Sequence, residues 1–251
     1  MLVQYSVDRG IARIALDSPR NRNALSAALV AELNGALADA ESDPAVRAVE
    51  LTHTGSTFCA GADLTEASAG GMEQGTARLT ALLRRIAALR KPVVASIDGH
   101  VRAGGLGLVG ACDIVLAGPA STFAFTEVRL GLAPAMISLT TLPRLEPRAA
   151  SRYYLTGAVF DAAEAARIGL ITEAVSDIDA GTLAVLDELR ACSPQGLRET
   201  KQLLASPLLD TFDAKADSLA ALSARLFGSA EAAEGMNAFL AKRKPSWAEG
   251  A

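Results

Sequence analysis

The sequence predicts an α/β protein, strand-rich in its first half and helical in its second. Three observations carry that expectation. Short apolar runs bounded by turn residues recur up to Phe125. Beyond Phe125 only residues 171–175 read as a good strand, and the remainder follows helical spacing. Half of the 251 residues are hydrophobic but only 4% are aromatic, so the core must be built from small aliphatic side chains. No linker or repeat divides the halves, which therefore read as one α/β domain with a helical extension.

The elements follow in order. Residues 3–7 and 11–16 alternate around Asp8-Arg9-Gly10 and predict a hairpin. Ser26 is placed to cap a helix that aligns Leu29, Leu33 and Leu37 on one stripe. Residues 46–52 form the next strand. Leu79, Leu82, Leu83, Ile86 and Leu89 recur at helical spacing, and Pro92 marks the stop. Residues 93–97 read as a buried strand, with shorter candidates at 114–116 and 122–125. Helices are expected at 135–145, 147–156, 161–168, 180–192, 194–205 and 231–243.

Composition narrows the function classes. A net charge of -4 with 21% charged residues is ordinary for a globular chain and weighs against nucleic-acid binding, which favours a basic face. The most apolar region, 93–116, is broken by Asp98, Arg102 and Asp113, whereas a spanning helix needs about 20 nearly uncharged residues. The start, MLVQYSVDRG, lacks a basic leader followed by an apolar run. Cys59, Cys112 and Cys192 have no metal spacing and read as reduced thiols of a cytoplasmic protein.

Two glycine sites carry the chemistry. AGGLGLVG, at 103–110, contains G-x-G-x-x-G as Gly105, Gly107 and Gly110, with Glu127 about twenty residues on. A dinucleotide-binding turn should follow its strand directly, and here residues 99–102 intervene. Adjacent glycines at a helix start also let a ligand approach free amides, which suit a developing negative charge. Close helix packing explains the same glycines, and both uses are compatible. FCAGADL, at 58–64, is a second small-residue turn. It reads as an ordinary β–α turn or, paired with Gly104-Gly105, as the other half of a two-amide oxyanion site.

These pieces, with PRNRNALS at 19–26, KPVVASIDGHVRAGGLGLVGACDIVLAG at 91–118, FAFTEVRLGLAP at 123–134 and EGMNAFLAKRKPSW at 234–247, resemble the crotonase, or enoyl-CoA hydratase/isomerase, family. They stand in the family's order over essentially the whole chain. The resemblance implies a spiral of β-β-α units over 1–190 and a helical region over 191–251 that builds trimers or dimers of trimers. It implies an acyl-CoA thioester as substrate, with coenzyme A part of that substrate and no cofactor, metal, nucleic-acid or membrane partner. The amides of Ala62 and Gly104 would hold the thioester oxygen. Arg22, Asn23 and Ala24 would line the coenzyme A site, largely through backbone groups. Ala60, Gly61, Asp63, Leu64 and Gly105 would complete it. Phe239 and Lys242 match positions that reach coenzyme A, in some members from a neighbouring subunit. A solvated helix end is the plainer meaning of Lys242-Arg243-Lys244.

Family hydratases hold a water between two glutamates. The second matches Glu127; the first falls on Gly107, which has no side chain. The stretch 135–141, AMISLTT, is bulkier than the glycine-rich family pattern. Together with Gly107 it is similar to bacterial hydratases of branched or carboxylated enoyl-CoAs, such as methylglutaconyl-CoA. His100, Arg102 and Ser138 stand as candidates for placing water or a substrate carboxylate, or as structural groups. A structural alternative for Glu127 is an ion pair, but Arg129, two residues along, would face away from it on a strand. The leading expectation is a hydratase with Glu127 as acid and base. An isomerase using Glu127 alone, or a non-catalytic acyl-CoA binder, are the alternatives.

Overall fold

The computed structural model describes residues 1–66 and 72–248. Strands β1 (Val3–Asp8) and β2 (Ile11–Leu16) form the expected hairpin. Arg9 and Gly10 both take positive φ, the conformation that suits a two-residue hairpin turn. The Ser26 side chain accepts from Leu29 N at 3.2 Å and starts α1 (Ala27–Ser42), which buries Leu29, Leu33 and Leu37.

The chain then repeats one unit. Strands β3 (Ala48–His53), β5 (Val93–Ile97), β7 (Ile114–Ala117) and β10 (Glu173–Ala174) enter a six-stranded sheet of order β1-β2-β3-β5-β7-β10. The strands after β3, β5 and β7, namely β4 (Thr57–Cys59), β6 (His100–Arg102) and β8 (Thr122–Ala124), enter a second sheet with β9 (Phe160–Asp161), in the order β4-β6-β8-β9. The single turn α2 (Leu64–Glu66) and α3 (Met72–Ala88) follow the first pair, and α4 (Gly104–Ala111) follows the second. Each unit hands one strand to each sheet and then crosses back, which is the β-β-α spiral. All pairings are parallel except β1 with β2 and β8 with β9 (Phe160–Asp161).

Helices α5 (Ser138–Thr141), α6 (Pro147–Thr156), α7 (Ala162–Arg167), α8 (Ile178–Ala191), α9 (Pro194–Phe227) and α10 (Ala230–Leu240) complete the chain. Three expectations are corrected. The helix expected at 135–145 shrinks to α5, because Pro143 cannot donate the amide that would continue it. The helix expected to end at 205 runs to Phe227 through Pro207. Pro207 is exposed and so is Leu203, whose carbonyl loses its helical donor there and can meet water instead. Inside, Leu208 and Phe212 keep the helical stripe buried. The strand expected at 171–175 is regular only at β10 (Glu173–Ala174), although Thr172 N and Val175 N both bond to β7.

The core is the one the composition requires. Val49, Leu51, Val93, Ala95, Ile97, Leu106 and Val109 pack between the layers. Among the described residues, no helix is long and apolar enough to cross a membrane.

Candidate active site

The two glycine turns touch. Gly61, after β4, takes φ +93, and a Cβ there would lie 2.9 Å from Ala103 Cβ and 3.3 Å from Gly104 N. A Cβ on Gly105 would lie 2.8 Å from Cys59 O. Real Cβ atoms do not approach so closely, so hydrogens at 61 and 105 are what let the turns close. Ala103 holds φ +46 at the head of α4, a strained backbone for a residue with a Cβ. Leu25 N donates to Gly61 O at 2.8 Å, and Ala60 N donates to Arg22 O at 3.1 Å. Segment 22–25 is thereby laid alongside 60–62.

Gly104 is the first residue of α4, so helix geometry gives its amide no intrahelical acceptor. Among the described residues, neither that amide nor the Ala62 amide donates a hydrogen bond. A Cβ on Gly104 would face Leu25 Cδ1 at 3.1 Å and Leu79 Cδ2 at 3.7 Å, so aliphatic side chains pack on that side of the turn. The nearby Cys59 thiol is pushed up to about 12 by burial and stays protonated, which rules it out as a nucleophile.

Glu127 opens a 3-10 turn, Glu127–Leu130, rather than sitting on a strand. Its Oε2 is sealed from solvent and has no hydrogen-bond partner. Desolvation pushes the carboxyl up to about 7 from its ordinary 4.5. Arg129 does not neutralise it, because the Arg129 Nε donates to Thr156 O at 3.3 Å. Behind the turn this ring-poor chain gathers Phe123, Phe125, Tyr153, Tyr154 and Phe160, with Phe125 and Tyr154 at 4.4 Å between centroids. Burial pushes the Tyr154 phenol up, and the Glu127 charge adds to the shift.

At Gly107 the space is filled. A Cβ there would lie 2.8 Å from Ile137 Cγ2 and 3.1 Å from Leu83 Cδ1. Thr140 Oγ1 donates to Gly107 O at 2.9 Å and locks the 135–141 segment onto α4.

The other expected site residues divide. Asn23 is fully buried and spends its side chain on structure. Its Oδ1 accepts from Ser18 N at 2.7 Å, and its Nδ2 donates to Thr57 O at 2.8 Å and Thr54 O at 3.2 Å. Arg22 is exposed in the left-handed region and Ala24 is buried. Asp63 Oδ1 accepts from Thr65 N at 2.9 Å. Leu64 begins α2, and its side chain lies outside the described residues. Helix α10 packs on the Glu127 turn: a Cβ on Gly235 would lie 2.5 Å from Leu130 O. Phe239 is half exposed on α10, and Lys242, just past the Ala241 cap of that helix, takes φ 53. No hydrogen bond or ring contact joins Phe239 or Lys242 to segments 22–25 or 60–64 among the described residues. Arg102 donates to Thr122 O at 2.7 Å and Thr122 Oγ1 at 2.9 Å, and His100 also bonds Thr122 Oγ1. Ser138 Oγ donates to Ala135 O at 2.6 Å. These bonds tie the three side chains to neighbouring groups of the fold.

The sequence marks the bulky 135–141 stretch that carries Ile137 and Thr141, but it leaves Tyr154 unmarked. Two of only three tyrosines standing adjacent, at 153–154, is the signal that was available.

An α/β spiral with two apposed glycine turns and a desolvated carboxylate defines the class. The model of the enoyl-CoA hydratase/isomerase family matches residues 6–250, and the chain belongs to that family. An enoyl-CoA hydratase from Mycobacterium avium, solved as a crystal structure, superposes with TM-score 0.93 at 55% identity over 98% of each chain. A Thermus thermophilus relative, named enoyl-CoA hydratase provisionally, is 36% identical over 95% of this chain and 98% of its own. A mevalonyl-coenzyme A hydratase from Aspergillus fumigatus is 32% identical over 94% of this chain and 91% of its own.

Proposed function

We propose that this protein adds water to a 2-enoyl-CoA, or removes it from the 3-hydroxyacyl-CoA, with Glu127 as acid and base. The observation that carries the reading is the sealed, unpartnered Oε2 of Glu127, held at about 7 in a chain of this family. A carboxyl near 7 can both take and return a proton at neutral pH. The amides of Ala62 and Gly104 would hold the thioester oxygen as enolate charge develops on it; losing one such donor costs about 10²–10³ in rate. Segment 22–25 and residues 60–64 would take the coenzyme A moiety, with Gly61 and Gly105 keeping the two turns close. Phe239 and Lys242 would act across a subunit boundary in a homo-oligomer, a trimer or dimer of trimers. The exposed Leu155, Leu203 and Leu204 support such an assembly. The unpaired Cys59, Cys112 and Cys192 fit a reducing, cytoplasmic setting.

The test is loss of the conjugated-thioester absorbance on adding enzyme to straight and branched 2-enoyl-CoAs, with products analysed in heavy-oxygen water. Label at the β-hydroxyl is expected; no loss of signal across the panel would sink the reading. The filled space at Gly107 favours one rival, an isomerase that moves a proton between the α and γ carbons with Glu127 alone. It would form conjugated product from a 3-enoyl-CoA and incorporate no label.

A further inference from the structure

Two amides of one short segment grip the chain on either side of Ala62. Leu25 N donates to Gly61 O at 2.8 Å, and Leu25 pairs with Ala62 in a parallel bridge. Two residues on, Ala27 N donates to the Glu66 carboxylate, 3.0 Å from Oε2 and 3.2 Å from Oε1. Ala27 is the first residue of α1, so its amide has no acceptor within the helix, and the Ser26 hydroxyl is spent on Leu29 N. A carboxylate at that end also meets the positive pole of the helix. Arg78, on α3, brings Nη2 to 3.6 Å from the same Oε2. Between Ala62 and Glu66, Asp63 Oδ1 accepts from Thr65 N at 2.9 Å. That bond shapes α2, and the Glu66 bond places it against α1.

The two grips act differently. A peptide unit is planar and trans, so the Ala62 N–H points away from the Gly61 oxygen that Leu25 holds. The Leu25 bond gives that N–H its direction but leaves the unit free to pivot. The Ala27 bond to Glu66 holds the chain beyond Ala62 and takes that freedom away. We propose that Glu66 is a positioning residue for the oxyanion site and acts through the Ala62 amide. This rests on the reading that the Ala62 and Gly104 amides hold the thioester oxygen. It applies to hydration and isomerisation alike, because both need the enolate. The Glu66 side chain is 41% exposed, and an exposed ion pair contributes little to stability. Its loss should therefore show in the reaction before it shows in the fold.

The experiment follows a saturated acyl-CoA bound to the protein in two ways. The infrared stretch of its isotope-labelled thioester carbonyl falls when amides polarise the bond. Its α-protons exchange in heavy water when the enolate forms. In wild type the stretch should lie below that of the free thioester. Glu66→Ala should return it part of the way to the free value. The same variant should slow exchange at saturation by about tenfold to a hundredfold, the scale of a misplaced donor. The half-saturating concentration should stay within about threefold. The melting temperature should fall by only about 2–4 °C. Glu66→Gln keeps an oxygen for Ala27 N and should restore the stretch and most of the rate. Wild-type stretch and exchange in Glu66→Ala overturn the proposal, as does a Glu66→Gln no faster than Glu66→Ala. A slowed Glu66→Ala with an unmoved stretch also overturns it, because the loss then bypasses the carbonyl contact. A wild-type protein whose bound carbonyl stretches like the free thioester overturns the oxyanion reading itself, and this inference with it.

Discussion

Ile137 occupies the space that a side chain on Gly107 would need, with its Cγ2 only 2.8 Å from the position of the missing Cβ. The glycine at 107 and the bulky residue after Pro134 are thus one packing arrangement. Gly107→Glu is accordingly expected to overpack α4, with a cost of about 1–3 kcal/mol plus that of burying a carboxyl. It should not speed hydration. Gly107→Glu combined with Ile137→Gly opens the space and should fold better than the single variant. Thermal melts and hydration rates of the two variants check this; a single variant as stable as wild type would show that Ile137 yields freely.

The raised carboxyl of Glu127 links activity to pH. Only the ionised form accepts a proton, so kcat/KM should rise as pH rises through about 7. Stability runs the other way. The group titrates near 7 folded and near its ordinary 4.5 unfolded, so between these values the folded chain holds a proton that the unfolded chain has lost. Its stabilising contribution is full below the lower value and is lost as pH rises through the upper one. Glu127→Gln removes the buried charge and should stabilise the fold at pH 8 by up to about 3 kcal/mol, with little difference at pH 4.5. Denaturant midpoints at both pH values decide it; a destabilised Glu127→Gln at pH 8 counts against a desolvated carboxylate.

Gly61 is expected to tolerate no side chain. Alanine there would need the left-handed backbone and would press its Cβ to 2.9 Å from Ala103 Cβ. Relief can come only by parting the two turns, which separates the amides of Ala62 and Gly104. Gly61→Ala should therefore lose about 10²–10³ in kcat, in proportion to one misplaced donor. Its melting temperature should fall by only a few degrees. Retained kcat would place the thioester oxygen elsewhere.

Much of this architecture was legible because its signals are local. The Ser26 cap, the leucine stripe of α1 and the Asp8-Arg9-Gly10 turn each depend on residues within one element. The glycine turns were legible as motifs, but their contact was not, since it joins residues about forty apart. Asn23 illustrates the limit. Its three bonds go to Ser18, Thr54 and Thr57, so its task of fastening two loops has no sequence period. The run through Pro207 was hidden for a different reason. Proline removes one donor, and the cost depends on whether the freed carbonyl meets water, which only the fold decides.

Asn23 yields its own prediction. Asn23→Ala would strip partners from Ser18 N, Thr54 O and Thr57 O in a fully buried place, at about 1–3 kcal/mol for each group that water cannot reach. Because the side chain acts on the loops rather than on a ligand, Asn23→Ala should lower the melting temperature strongly. At a temperature where it remains folded, kcat should change less than KM for the acyl-CoA. A variant with wild-type stability and a raised KM would instead assign Asn23 a direct contact.

Lys201 fixes the long helix to the spiral. It is 3% exposed on α9 and donates to Asp113 Oδ2 at 2.6 Å and Ile86 O at 3.1 Å. Asp113 Oδ2 also accepts from Val93 N at 2.7 Å, so one charge pair joins α9, the end of α3 and the start of β5. Removing one partner of a buried pair leaves an uncompensated charge, and Lys201→Ala should cost about 3 kcal/mol. Replacing the pair by neutral groups of similar shape should cost less, because both desolvation penalties disappear. Lys201→Met with Asp113→Asn, which keeps an acceptor for Val93 N, is therefore expected to be more stable than Lys201→Ala. Denaturant titrations of the three proteins give the order directly. If Lys201→Ala equals wild type, aliphatic packing alone holds α9 in place.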